Sequence, residues 1–214
     1  ILDENFKLIN IISYPEFDHI ISVHHADLYS FAIGCNGDCF DESGSFEYFI
    51  IKYDNNILEP YYLSKVDNLS CDFNRINDIS IVDNDIYVAT DNCISINTID
   101  YSPFSTWGEA HEGEIGNYKL IDNNIALKNN SIVNVETNYE YFSENDLLNE
   151  GISDGYLDLY QIDNDENIYL LLTSNNLYEL NLSNYTILNK TISKPEYIIS
   201  SFTSFDYLNS NYYF

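Results

Sequence analysis

The stretch "NDISIVDNDIYVATDNCISINT", Asn77–Thr98, contains three short apolar segments that are joined by two polar turns. The segments are ISIV, IYVA and CISIN, and the turns are DND and TDN. Apolar and polar residues alternate within the segments, as Ile79 and Ile81 do with their neighbours. This period of two is typical of half-buried β-strands. Asp and Asn tolerate the left-handed backbone of tight turns, so the stretch predicts three antiparallel strands.

The same order of strand and turn recurs along the chain. It returns in "YKLIDNNIALKNNSIVNVET" (118–137) and in "LDLYQIDNDENIYLLLTSNNLYELNLS" (157–183). An earlier copy begins with "HIISVHHADLYSFAIG" (19–34), and its second turn is lengthened to "CNGDCFDESGS". A partial copy, "SFTSFDYLNSNYYF", ends the sequence. Successive first turns lie about 40 residues apart, apart from the interval that the insertion widens. We therefore expect repeated units at 13–70, 71–113, 114–150, 151–193 and 194–214.

The composition favours strands over helices. The chain of 214 residues contains 20 Tyr and 12 Phe and has no Met. Aromatic and β-branched residues are enriched in strands, and no long segment has a clean helical period. A hydrophobic content of 45% excludes intrinsic disorder. We therefore predict an all-β protein.

These repeats resemble the blades of β-propellers as a class. The resemblance implies one domain over residues 1–214, with about four to five antiparallel blades, either complete or as part of a larger propeller. It names no specific family, because the chain lacks the Gly-His and Trp-Asp pairs of WD repeats, the kelch double glycine and the sialidase box. A β-sandwich built from the same strands is the alternative.

The two ends of the sequence predict a closure. The last unit lacks its outer strand, whereas the first twelve residues, "ILDENFKLINII", offer an apolar strand that belongs to no other unit. Propellers often close by letting both termini share a blade, which removes exposed strand edges. We hypothesise that Ile1–Ile12 pairs with Ser204–Phe214.

The charge limits the classes of partner. Eight basic residues against 35 acidic ones give a net charge of −27. Such a chain repels nucleic acid and anionic lipid, because both require Lys or Arg for neutralisation. No apolar run approaches the roughly 18 residues that predict a membrane-spanning helix. The charge suits a basic protein partner, bound cations or a larger assembly, and simple solubility is the alternative explanation.

The cysteines and sequons favour an extracellular setting. Four cysteines, Cys35, Cys39, Cys71 and Cys93, are an even number, which fits disulfides in an oxidising compartment. The sequence leaves their pairing open, and free buried thiols are the alternative. Potential N-glycosylation sequons begin at Asn68, Asn129, Asn181, Asn184 and Asn189. About four sequons would arise by chance in a chain so rich in Asn, so they are compatible with secretion but do not argue for it. We expect a secreted or surface location.

Two irregular segments are candidate binding sites. The insertion carries Asp38, Asp41 and Glu42, whose oxygens suit calcium, although their spacing lacks the alternation of a calcium loop and a solvated acidic loop explains them as well. The segment "SPFSTWGEAHEGE" lies in a predicted inter-blade connection and offers an aromatic and acidic platform for carbohydrate or peptide. Its residues are Trp107, Glu109, His111 and Glu112. A Trp that fills the seam between two blades is the alternative.

The sequence contains no catalytic signature. We find neither a Gly-x-Ser-x-Gly nucleophile elbow nor a glycine-rich phosphate loop. His24 and His25 fall where the repeat predicts a turn, which does not suit a metal centre. Carboxylate pairs are uninformative in a chain with 35 acidic residues. We therefore expect a non-catalytic binding or assembly module, with a carbohydrate-binding or glycoside-cleaving propeller as the alternative.

Overall fold

The computed structural model describes residues 18–25, 29–37, 46–54, 59–66, 69–83, 85–98, 110–153, 155–162, 165–190, 206–208 and 211–213. Within these ranges the chain forms four antiparallel sheets of four strands, one two-stranded sheet and one short helix. Each four-stranded sheet is a meander, with its strands in sequence order. The all-β prediction is confirmed.

We call the four-stranded sheets blades 1 to 4. Blade 1 comprises β1 (His19–His25), β2 (Tyr29–Gly37), β3 (Phe46–Asp54) and β4 (Glu59–Lys65). Blade 2 comprises β5 (Ile76–Val82), β6 (Asp85–Thr90), β7 (Cys93–Thr98) and β8 (Ala110–Ile115). Blade 3 comprises β9 (Tyr118–Asp122), β10 (Ile125–Lys128), β11 (Ser131–Asn134) and β12 (Tyr139–Phe142). Helix α1 (Glu144–Asn149) follows. Blade 4 comprises β13 (Tyr156–Gln161), β14 (Ile168–Thr173), β15 (Leu177–Asn181) and β16 (Thr186–Lys190).

The blades are arranged radially. The first strand of each blade packs against the first strand of the next, so that β1, β5, β9 and β13 form a continuous inner row. The remaining strands of each blade follow outward in order. This is the architecture of a β-propeller, and it excludes the β-sandwich alternative, in which two sheets face each other in opposed layers.

The hydrophobic core lies between successive blades. One buried cluster joins blades 1 and 2 through residues such as Ile33 and Ile86. A second joins blades 2 and 3, with Tyr87 and Tyr118 among its members. A third joins blades 3 and 4 and includes Leu171. Each interior blade therefore buries both of its faces.

This two-sided burial corrects one sequence expectation. The alternation in Asn77–Thr98 predicts half-buried strands, but β6 and β14 are buried at every position after their first residue. β6 belongs to blade 2, which packs between blades 1 and 3. In β14, Leu171 packs toward blade 3, and Leu170 and Leu172 belong to a further buried cluster on blade 4. Such strands read as continuous apolar runs, as "IYVA" and "YLLL" do.

The turns use the residues that the sequence pattern singles out. Asn129 and Asn130 both have positive φ, 47° and 66°, and they join β10 to β11 as a two-residue hairpin. Two successive positive φ values define the type I′ turn that suits the twist of paired strands. The β6–β7 and β14–β15 turns share a hydrogen bond between a side chain and the backbone. In each, a Thr hydroxyl, of Thr90 or Thr173, accepts a hydrogen bond from the backbone N–H three residues later.

Several local expectations are wrong. His24 and His25 do not lie in a turn, because β1 continues through them and pairs them with Phe31 and Ser30. Residues 110–114, expected in a connection, belong to β8, which supplies the fourth strand of blade 2. Helix α1 has no counterpart in the repeat pattern. Ser143 begins it through a capping box with Asp146, a local signal that a search for long periodic helices misses.

The predicted closure involves residues that the structure describes only at the C-terminal side. β17 (Asp206–Leu208) and β18 (Asn211–Tyr213) form an antiparallel pair in the last predicted unit. Residues 1–17 lie outside the described ranges, so pairing with Ile1–Ile12 stays a prediction.

The blade 3–blade 4 core gives the first test of this architecture. Leu171 is fully buried, whereas Leu148 on α1 is 49% exposed. We expect Leu171→Ala to lower the free energy of unfolding by about 2–5 kcal/mol, because it removes buried methyl groups and leaves a cavity. The matched variant Leu148→Ala should change it by less than about 0.5 kcal/mol. Urea unfolding of both variants measures the difference, and equal effects would contradict the proposed packing.

Candidate functional site

A central cavity of about 430 Å³ opens where the first strands of all four blades meet. Every lining residue comes from β1, β5, β9 or β13. The lining residues are Ile20, Ile21, Ser22, Val23, Asn77, Asp78, Leu120, Leu157 and Asp158. We call this space the central cavity, and it is one of two candidate ligand sites.

A repeated backbone irregularity shapes this cavity. In each blade the pairing of the first and second strands skips one residue of the first strand. The residue that follows the skip occupies the same position in each blade and faces the cavity. These four residues are Ser22, Asp78, Leu120 and Asp158. A β-bulge re-aims side chains in this way, so the repeat positions one side chain from each blade around a common space.

Asp78 on β5 links three blades by hydrogen bonds. Its Oδ1 accepts hydrogen bonds from the Ser22 hydroxyl of blade 1 and from the backbone N–H of Ile79, at 2.9 Å for the latter. Its Oδ2 accepts one from the backbone N–H of Ile121 in blade 3, at 3.0 Å. The Asp78 carboxyl group therefore joins blades 1, 2 and 3 at the cavity.

Other polar contacts also join the first strands of neighbouring blades. The Asn77 side-chain amide donates to the Tyr118 carbonyl across 2.7 Å, between blades 2 and 3. The Gln161 backbone N–H of blade 4 donates to Asp122 Oδ2 of blade 3. Asn123 Nδ2 also donates to the side-chain oxygen of Gln161, at 2.8 Å. Each of the three junctions β1–β5, β5–β9 and β9–β13 therefore contains at least one hydrogen bond made by a side chain.

Burial raises the pKa values of two carboxyl groups that join neighbouring blades, those of Asp78 and Asp122. It raises the pKa of Asp78 to about 7, and the negative charge of Asp158 adds to this rise, while the three donors oppose it. Burial likewise raises the pKa of Asp122 to about 6 against the hydrogen bonds from Gln161 and Asn123. Both carboxyl groups therefore retain protons in the native state at pH values where exposed carboxyl groups are ionised.

The polar side chains that line the central cavity form hydrogen bonds within the protein. Asp78 and Asp158 both accept hydrogen bonds from the backbone N–H of the following residue. The described lining contains two carboxyl groups, one amide and one hydroxyl, and no aromatic side chain. The carbohydrate-active alternative requires carboxylates beside an aromatic platform, an arrangement that the described part of this cavity does not contain.

The raised pKa of Asp78 predicts a pH-dependent stability. The native state keeps the Asp78 proton up to about pH 7, whereas the unfolded chain releases it near pH 4, so stability falls as pH rises through this window. We expect Asp78→Asn to flatten this fall by up to about 1.4 kcal/mol per pH unit. Glu166→Gln is the control, because it makes the same acid-to-amide replacement at an exposed position. Urea unfolding between pH 4 and pH 7.5 measures both slopes, and equal slopes would contradict the assignment.

A disulfide and hydrogen bonds to the Asp91 side chain hold the segment that enters blade 2. Cys71 and Cys93 are joined, 22 residues apart in sequence. Asp91 accepts hydrogen bonds from the backbone N–H groups of Asn74 and Arg75, at 3.0 and 3.1 Å. Cys35 is also disulfide-bonded and lies buried on β2, and Cys39 lies outside the described residues.

The other predicted sites are placed only in part. Asp38, Asp41 and Glu42 lie outside the described residues, as do Trp107 and Glu109. Glu112 is exposed on β8 next to His111. Within the described ranges no group of three or more His, Cys, Asp and Glu side chains could hold a metal ion. The calcium site and the Trp107 platform stay predictions.

Three of the predicted sequon asparagines are exposed. They are Asn129, Asn184 and Asn189. Asn181 is half-buried, and its side-chain oxygen accepts hydrogen bonds from the Ser183 and Asn184 backbone N–H groups. Asn68 lies outside the described residues. Glycosylation at these positions stays a prediction.

A second candidate site, which the sequence analysis did not identify, lies between blades 3 and 4. It is a groove of about 490 Å³ formed by β12, α1 and the β15–β16 hairpin. We call it the Tyr groove, and its lining residues are Tyr139, Glu140, Tyr141, Phe142, Asp146, Asn149, Glu150, Tyr185 and Ile187. One signal could have indicated it: Tyr185 has a positive φ in a hairpin turn, whereas the other described non-glycine residues with positive φ are Asn or Asp.

Comparisons with known proteins agree with the fold. No protein-family model and no curated protein sequence matches the chain. The WD40 domain of Pan2 from Neurospora crassa superposes with a TM-score of 0.54 at 8% identity. The match covers 98% of this chain and 63% of that domain. A protein of unknown function from Desulfotomaculum acetoxidans DSM 771 matches with a TM-score of 0.47 and 12% identity, over 80% of this chain and 55% of that one. At 8% identity the likeness to the WD40 domain shows the propeller fold alone.

Proposed function

We propose that this protein is a non-catalytic binding module that engages a positively charged protein partner through an acidic surface. The observation that carries the proposal is the excess of acidic residues. One-to-one pairing with the eight basic residues would leave at least 27 of the 35 acidic side chains without a basic partner. A surface of one sign attracts partners of the opposite sign and accelerates their encounter.

The described residues support this proposal through the distribution of their charges. Exposed carboxylates occur from the entry of blade 2 to blade 4, and they include Asp72, Glu112, Glu136, Glu144, Glu150 and Glu166. Some of the few lysines are already engaged within the chain. Lys128 lies 3.5 Å from Glu114, and Lys190 lies 2.5 Å from Glu179. Most of the negative charge is therefore available to an external partner or to cations.

The setting that we propose is a cell or particle surface. The Cys71–Cys93 disulfide supports an oxidising compartment. Among the described residues, no helix combines the length and the apolar character that crossing a membrane requires. A larger protein assembly that contains this propeller is compatible with the same role.

Carbohydrate binding is the second candidate function, and one observation favours it. Tyr139 and Tyr185 are 49% and 54% exposed and lie beside acidic side chains. Aromatic rings with nearby hydrogen-bonding groups can also accept a sugar ring. A sugar is uncharged in most cases, so its binding should not depend on salt, and this difference separates the two functions.

The salt dependence of binding tests the proposal. The probe is a fluorescein-labelled peptide of alternating Arg and Gly, about ten residues long. We expect its affinity to fall at least about tenfold between about 0.1 M and about 1 M NaCl, because the screening length shortens from about 10 Å to about 3 Å. Fluorescence anisotropy measures the affinity. A Glu-Gly peptide of the same length is the control and should not bind. No binding of the Arg-Gly peptide, or binding that salt leaves unchanged, would refute the proposal.

A further inference from the structure

We propose that the Tyr groove binds Arg or Lys side chains of an extended segment of the protein partner. This inference rests on the proposed function and adds to it the location and the chemistry of recognition. Three tyrosines supply aromatic faces, and three carboxylates supply negative charge in the same groove.

The tyrosines of the groove contact one another, and two of them are accessible to solvent. The rings of Tyr139 and Tyr141 meet edge to face, with centroids 5.0 Å apart and an interplanar angle of 78°. The hydroxyls of Tyr139 and Tyr185 lie 3.0 Å apart and join β12 of blade 3 to the hairpin of blade 4. Both tyrosines are about half exposed. Among the described large apolar and aromatic side chains with high exposure, these two are the only aromatic ones.

The charge of the groove selects a cation. Glu140, Asp146 and Glu150 line it, and no Lys or Arg is among its described lining residues. Guanidinium and ammonium groups bind both to the faces of aromatic rings and to carboxylates. The protein itself uses this contact elsewhere, since Lys119 and Lys128 each lie 5.3 Å from the ring centre of a tyrosine. A basic side chain from a partner would find the same environment in the Tyr groove.

The backbone of Tyr185 gives an independent indication of function. Its φ is +57°, and all other described non-glycine residues with positive φ are Asn or Asp. A bulky residue is uncommon in this left-handed region, where Gly and Asn fit at lower cost. Side chains held in unfavourable backbone conformations are frequent at binding sites. The fold therefore tolerates an aromatic residue at this turn, where Asn would be more stable.

Matched variants of the full chain test the groove with the same Arg-Gly peptide. We expect Tyr139→Ala and Tyr185→Ala each to weaken its binding about tenfold, because each removes an aromatic face. The double variant Glu140→Gln/Glu150→Gln should weaken binding by a similar factor. Its control is Glu136→Gln/Glu166→Gln, which makes the same change in net charge at exposed positions outside the groove, and should weaken binding less than about threefold.

The variant Tyr185→Asn separates binding from stability. Asn accepts the left-handed backbone, so we expect the melting temperature to rise by about 2–4 °C. Binding of the peptide should nevertheless weaken about tenfold, because the ring is lost. Thermal unfolding and fluorescence anisotropy on the same preparation measure the two effects. A variant that binds as tightly as the wild type would contradict the role of Tyr185.

The outcomes distinguish failure of the groove from failure of the proposed function. If the wild type binds the peptide with salt dependence and all groove variants bind equally well, the groove is wrong and the acidic binding module stands. If the wild type does not bind the peptide, both proposals fail. If Tyr139→Ala abolishes binding of a neutral glucan oligosaccharide while the peptide is not bound, the groove is a carbohydrate site and the inference is overturned.

Discussion

The fold depends on the burial of each blade between its neighbours. The clusters around Ile86, Tyr87 and Leu171 place apolar side chains on both faces of the interior blades. A meander of four strands cannot bury two faces by itself, so no interior blade is stable alone. This constraint also explains why β6, the second strand of the interior blade 2, is buried at every position after its first residue.

A shortage of basic residues determines how this protein uses its carboxylates. With eight Lys and Arg in the chain, few acids can form ion pairs, and several instead accept hydrogen bonds from backbone N–H groups. Asp78, Asp91 and Asp122 do so across blade junctions or toward an entering segment. Asp146 does so at the beginning of α1. Such bonds lower the cost of burying negative charge, and for Asp78 and Asp122 protonation lowers it further.

The repeated strands and turns could be predicted from the sequence, whereas features that depend on packing between blades could not. Alternation and Asn-rich turns indicated the strands of Asn77–Thr98 and the hairpin at Asn129 and Asn130, because those signals are local. The two-sided burial of β6 could not be distinguished from one-sided burial, since its cause is another blade. β8 was missed because "AHEGEI" has little apolar character, and α1 because six residues are too few for a helical period.

The two candidate sites differ in how far the sequence could indicate them. The central cavity follows from the repeat, since aligning the first strands places Ser22, Asp78 and Asp158 at equivalent positions, and only the skipped residue before each is invisible in the sequence. The Tyr groove has no such periodicity, because Tyr139 and Tyr185 are 46 residues apart and belong to different blades. What marks the groove instead is a local exception: Tyr185 has a positive φ, whereas the other described non-glycine residues with positive φ are Asn or Asp. An aromatic residue in an Asn-rich turn is visible in the sequence, but only the fold shows that it faces Tyr139 of the neighbouring blade.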